Sequence, residues 1–137
     1  AHMSELILHH VSIIASNLER SIEFYRNTFD LERIERPPFK SPGAWFDSGG
    51  QQLHIIENPN GTFRSSHKID DMDWHYAFCT KNFSAVIDRL IAQGFREDAS
   101  EGDPKRLVVN RSGVAGFQQA YLLDPDLNII EINGAKL

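Results

Sequence analysis

Four side chains in this sequence could act together on one cation: His10, His54, His75 and Glu131. Three imidazoles and a carboxylate suit a borderline divalent metal such as Zn, Ni, Co, Mn or Fe, and suit Ca poorly. Each of the four sits in a run that alternates like a strand, where successive side chains point to opposite faces. Around His75 the bulky Trp74, Tyr76 and Phe78 take one face, while Asp73, Ala77 and Cys79 keep His75 company on the other. Leu53 and Ile55 oppose His54 and Gln52; Ile130 and Ile132 oppose Glu131 and Asn133. Such alternation fits a sheet with one face under helices and the other lining a cleft. His10 shares its face with Leu8, Ser12 and Ile14, opposite Ile7, Val11 and Ile13.

The elements that would carry these residues occur twice. LHHVSIIASNL, residues 8–18, runs from a strand into a helix start, and DWHYAFCTKNF, residues 73–83, does the same. His10 precedes Asn17 by the interval that separates His75 from Asn82. AWFDSGGQQLHI, from Ala44, and AYLLDPDLNIIEI, from Ala120, are both strand–turn–strand. His10 and His75 therefore hold one place in the repeat, and His54 and Glu131 another, so a twofold axis would gather all four. Each half reads as strand, helix and three strands. Ser16 with Glu19 offers a capping box, and Leu18, Ile22, Tyr25 and Phe29 recur at helical spacing. The second helix begins near Asn82, stacks Phe83, Val86 and Leu90, and ends at Gly94. Asp47-Ser48-Gly49-Gly50 and Asp124-Pro125-Asp126 supply hairpin turns. The expected fold is α+β: two tandem βαβββ modules forming a curved mixed sheet with helices on its outer face. One domain is expected over 4–134, with module one at 5–62, module two at 72–134 and a polar linker between. Ala1-His2-Met3 reads as the remnant of a cleaved tag, so His2 is set aside.

At 137 residues, with 41% hydrophobic and 24% charged, the chain can bury a core without disulfides, and its single cysteine could form none internally. A net charge of -5, with scattered Lys and Arg, argues against nucleic acid as a partner. No apolar run approaches the ~20 residues of a membrane span, and no signal pattern opens the chain, so the cytoplasm is the expected compartment. There is no nucleophilic triad and no phosphate-binding glycine loop. His9 reads as a structural residue on the face opposite His10, His67 as solvated, Cys79 as an inert small hydrophobe, and Trp45 and Phe46 as core. Ser12 would offer a hydroxyl beside the metal; Arg111 and Arg36 would either hold an anionic substrate or face solvent.

HHV followed by NLERSIEFY, DWHYAF in mid-chain and DPDLNIIEI near the end resemble, in that order, the motifs of the vicinal oxygen chelate superfamily. That group holds glyoxalases, bleomycin-resistance proteins and extradiol dioxygenases. The likeness spans roughly residues 6–133. It implies that His10, His75 and Glu131 form a metal triad, with His54 where bacterial glyoxalase I has a glutamate ligand. Leu127 stands where the family usually has Gly. The resemblance further implies a homodimer with shared sites, His10 and His54 from one subunit and His75 and Glu131 from its partner, although the sequence alone equally permits an intrachain site.

The shared chemistry implied is chelation of two neighbouring substrate oxygens by one divalent cation. One carboxylate among the ligands leaves the site a net positive charge, a stronger Lewis acid than the two-carboxylate glyoxalase site. The expected activity is that of a glyoxalase-like lyase or isomerase working through a metal-stabilised enediolate, with Glu131 and His54 as the catalytic pair. A thiol transferase of the fosfomycin-resistance kind is one alternative, to which Asn110-Arg111-Ser112 bears some likeness. An extradiol dioxygenase is another. A non-catalytic drug binder of the bleomycin-resistance kind is the third.

Overall fold

The computed structural model describes residues 5–137, so the tag-like opening lies outside the described residues. The chain divides into two compact units, 1–61 and 62–137, each built as one βαβββ module.

The first unit contains β1 (His10–Ala15), α1 (Leu18–Phe29), β2 (Glu32–Ile34), β3 (Gly43–Ser48) and β4 (Gln51–Glu57). Its sheet has the order β1-β4-β3-β2; β1 and β4 run parallel and the other pairs antiparallel. Helix α1 is capped by Asn17, whose side-chain oxygen accepts from the Arg20 backbone N–H at 3.1 Å. The capping box expected at Ser16 is therefore displaced by one residue, and the Ser16 hydroxyl accepts from the Arg20 guanidinium instead. Leu18, Ile22 and Tyr25 form the buried stripe of α1, which packs against β3 and β4. Ile13, Phe46, Leu53 and Ile55 are buried on one face of the sheet. The β3–β4 hairpin closes through Gly49 and Gly50, at φ 61° and 91°, both in the left-handed region that a two-residue type I′ turn demands.

The second unit repeats the plan with β5 (His75–Cys79), α2 (Phe83–Ala92), β6 (Val108–Asn110), β7 (Gln119–Leu123) and β8 (Ile129–Asn133), in the order β5-β8-β7-β6. Again the first and last strands pair in parallel. Helix α2 buries Phe83, Ile87 and Leu90. It ends where Gly94 takes φ 95° and donates to the Ile91 carbonyl, while Phe95 donates to Leu90. This pair of bonds is the Schellman arrangement, which satisfies two carbonyls the helix leaves open. In the β7–β8 turn the Asp124 carboxylate accepts from the backbone of Asp126 and Asn128 and from the Asn128 amide. Leu127 keeps the positive φ, 69°, that Gly would adopt there freely. Its side chain packs against the buried cluster of Tyr121, Leu123 and Ile129, which offsets part of that backbone strain.

The stretch before β5 is more than a polar linker. Arg64 is buried, and its guanidinium donates to the Asp73 carboxylate (3.0 Å), the Leu127 carbonyl (2.6 Å) and the Lys68 carbonyl (3.0 Å). Ile69 from the same stretch packs on the Tyr121 cluster. The segment is folded onto its own unit.

Candidate functional site

In each unit the first and last strands lie side by side, and register decides which side chains meet. In the first unit Ser12 pairs with His54, and His54 in turn pairs with Trp45 across β3. His10, Ser12, His54 and Trp45 thus share the face opposite the buried one. Strand β4 lies between β1 and β3, so the His54 ring has a neighbouring ring on either side. Its centre is 4.0 Å from that of His10, with planes 18° apart, and 4.0 Å from Trp45, with planes 1° apart. The His54 Nε2–H donates to the Gln52 side-chain oxygen at 2.7 Å, which leaves Nδ1 with the lone pair. Burial, and then the charges of His10, His9 and Arg36, lower the His54 pKa to about 4, so its imidazole is neutral at physiological pH.

His9 lies outside β1, where strand alternation does not apply. Its Nδ1 is 2.8 Å from that of His10, and its ring meets His54 edge-on at 6.3 Å. It joins His10, Ser12, Trp45 and His54 around a cavity of about 400 Å³, so it belongs to the site face and not to the core. Trp45 also differs from its expected core role: Phe46 is the core residue and Trp45 walls the cavity.

In the second unit Ala77 pairs with Glu131 and Tyr121 pairs with Glu131 from the other side. His75 lies two residues before Ala77, as His10 lies two before Ser12. The His75 Nε2 is 3.0 Å from Glu131 Oε1, and its Nδ1 is 2.8 Å from the Asp73 carbonyl oxygen. A carbonyl can only accept, so Nδ1 carries a proton. Nε2 faces the carboxylate oxygen, which a protonated ring meets with an N–H and a neutral ring with a lone pair. An imidazole and a carboxylate at this spacing can both reach one cation, and a backbone carbonyl behind the ring is the usual support of a metal-ligating histidine. On these grounds the donors fit a divalent metal. The other carboxylate oxygen, Oε2, accepts from the Asn133 amide at 2.7 Å and from Gln119 at 3.5 Å. Burial, and then the Glu131 charge, push the Tyr121 phenol up to about 12, so it stays protonated and hydrogen-bonded to Glu131.

The structure thus presents the candidates as two pairs, His10 with His54 and His75 with Glu131, one pair in each unit. Among the described residues no group of three or more His, Cys, Asp or Glu stands in a geometry that could hold a metal. Arg111 lines a different cavity, of about 640 Å³, with Thr80, Asn82, Phe83 and Gln118. Its guanidinium makes two hydrogen bonds to the Glu97 carboxylate, at 2.8 and 2.9 Å, and holds that carboxyl below its usual range.

The chain matches a known family over residues 7–132, described as the Glyoxalase/Bleomycin resistance protein/Dioxygenase superfamily. The chain belongs to that superfamily. Among its relatives, Glyoxylase I 4 of Arabidopsis thaliana is 27% identical over 127 residues, covering 91% of this chain and 68% of that protein. Of solved structures, a glyoxalase family protein of Bacillus anthracis superposes with a TM-score of 0.74 at 25% identity, covering 96% of each chain. The fosfomycin resistance protein FosX of Listeria monocytogenes, complexed with Mn(II) and a dihydroxypropylphosphonic acid, gives 0.68 at 19% identity, covering 97% and 94%. At that identity the likeness to FosX shows the fold alone. Sequence reading did not single out Tyr121, Gln119 or the Asp73 carbonyl, each of which meets a candidate residue here. Register between β7 and β8 brings Tyr121 and Gln119 to Glu131, a signal that alternation within one strand does not carry. No helix among the described residues is long and apolar enough to cross a membrane.

Proposed function

We propose that this chain is a metal-dependent lyase or isomerase of the superfamily, acting on a small substrate that bears two neighbouring oxygens. His10, His54, His75 and Glu131 would hold one divalent ion, drawn from Zn, Ni, Co, Mn or Fe. Each unit supplies two donors and a catalytic ion needs three or four, so a complete site calls for both pairs. A homodimer with shared sites, two chains facing each other about a twofold axis, would meet that need. The observation that carries the reading is the His75–Glu131 pair, an imidazole and a carboxylate 3.0 Å apart with the ring's other nitrogen held by the Asp73 carbonyl.

When bound, the metal would act as a Lewis acid on the two substrate oxygens. The rest falls to the protein. Asn133 and Gln119 hold one oxygen of Glu131 and orient its carboxylate, which serves as the base for a proton beside a carbonyl. The same carboxylic acid returns that proton to the adjacent carbon, which completes an isomerisation with no net change in atoms. His54, neutral at physiological pH, is free to ligate or to accept a proton. Ser12 lies beside His10 and His54 and offers a hydroxyl to the substrate. The distant Arabidopsis relative named Glyoxylase I 4 supports lyase chemistry over the thiol-transferase and dioxygenase readings. A non-catalytic drug binder is the second reading, favoured by the Trp45 and Phe39 walls of the first unit's cavity.

Elemental analysis of purified protein tests the site. About one metal per chain is expected in the wild type, with nearly all of it lost in His75→Ala. Equal content in both, or none in either, would remove the metal reading. Assays with methylglyoxal hemithioacetal, fosfomycin plus thiol, and catechols then separate the reaction classes.

A further inference from the structure

The 400 Å³ cavity of the first unit has one feature that the metal reading leaves unused, the guanidinium of Arg36. It is held in the loop between β2 and β3 by contacts that neutralise none of its charge. Its Nη1 donates to the Ser41 carbonyl at 2.9 Å, and Nη2 reaches the Ser41 hydroxyl at 3.4 Å. The Phe39 ring lies 5.0 Å away as a cation–π partner. On its other side is Gly43, where a Cβ would come within 2.7 Å of the guanidinium carbon and of Nε. The glycine therefore leaves room for Arg36 to lie against the backbone. Nε is buried and has no hydrogen-bond partner at all.

Arg64, Arg96 and Arg111 each have a carboxylate beside the guanidinium, which Arg36 lacks. Around the cavity the groups beside Arg36 are three imidazoles, two serine hydroxyls, an isoleucine and two aromatic rings, with no carboxylate among them. In a chain with 19 acidic residues, a guanidinium facing a concave site without a counter-ion is poised for an anion from outside. Its planar fork of donors matches the two oxygens of a carboxylate. Phe39 and Trp45, with ring centres 6.2 Å apart, supply an apolar wall for the remainder of such a molecule.

We infer that the cavity binds a small carboxylate, a 2-oxo or 2-hydroxy acid with an apolar or aromatic tail, and that Arg36 recognises its charged end. The inference rests on the proposed function in taking the His10–His54 face as the substrate face and in giving the acid a second oxygen beside its carboxylate. Arg36 is then a specificity residue, separate from the candidate metal ligands.

Titration calorimetry with phenylglyoxylate and its uncharged analogue phenylglyoxylamide, on chelator-treated protein, tests this without any metal. Wild type should bind the acid about tenfold to a hundredfold more tightly than the amide. Arg36→Met should bring the acid down to the level of the amide and leave the amide unchanged. Arg36→Lys, which keeps the charge, should retain part of the preference. Metal content, measured in parallel, should be the same in Arg36→Met and wild type. A wild type that binds neither probe, or binds both alike, overturns the inference, as does an Arg36→Met protein with undiminished preference for the acid. If no metal is found but the acid preference is present and lost in Arg36→Met, the anion site stands and only the metal reading falls.

Discussion

His54 shows how much one ring can depend on its neighbours. The unfolded chain would protonate it near the ordinary 6.5, and the folded chain only near 4. Between those values the unfolded state binds more protons, so metal-free protein should lose stability as pH falls from about 6.5 toward 4. The loss is on the order of 2–3 kcal/mol. Other groups titrate in the same window, so the readout is the difference between wild type and His54→Gln in urea unfolding at pH 7 and pH 4.5. Wild type should lose more stability than the variant across that step; parallel losses would show that burial of His54 carries no such penalty. The type and position of His54 were legible in QLHII because Leu53 and Ile55 marked the opposite face. Its stacking on Trp45 was not, since that depends on which residue of β3 stands beside which residue of β4. Register is a property of two strands, and the sequence displays them one at a time.

At the scale of elements, the strands, helices and glycine turns could be read because each has a local cause. Gly49-Gly50 must turn tightly, Gly94 must end α2, and the apolar stripe of α1 repeats at 3.6 residues. The segment before β5 could not be read in this way. Its polar composition suggested a linker, whereas its structure comes from one long-range residue: Arg64 reaches Leu127, 63 positions away. That contact ties the segment to the β7–β8 turn, and through the Asp73 carboxylate it also steadies the residue whose carbonyl accepts from His75. Arg64→Met keeps most of the apolar stem but leaves two carbonyls and a carboxylate without their donor. A loss of about 1–3 kcal/mol in urea unfolding is expected, from the carbonyls left without a donor. Hydrogen exchange should quicken over residues 64–74 before the sheet opens. A variant as stable as wild type would mean that this segment is held by Ile69 and its apolar contacts alone.

For the molecule as a whole, the decisive fact is that each unit carries two of the four candidate donors and the same pattern of strands to present them. An internal repeat of this kind can complete a site within one chain or between two chains, and the two cases respond differently to mixing of variants. His54→Ala damages only the first unit's pair, and Glu131→Ala only the second's. If sites are shared across a twofold dimer, unfolding and refolding an equal mixture makes half the dimers mixed. Each mixed dimer joins one intact first unit to one intact second unit and one damaged pair to the other. About a quarter of all sites should then regain full metal binding and activity, although each variant alone has none. If sites lie within a chain, every site in the mixture keeps one damaged pair and nothing is regained. The measurement needs no knowledge of the substrate, because metal content per chain reports it directly. Recovery near a quarter would make the dimer the functional unit; no recovery, with both variants folded, would return the site to the single chain.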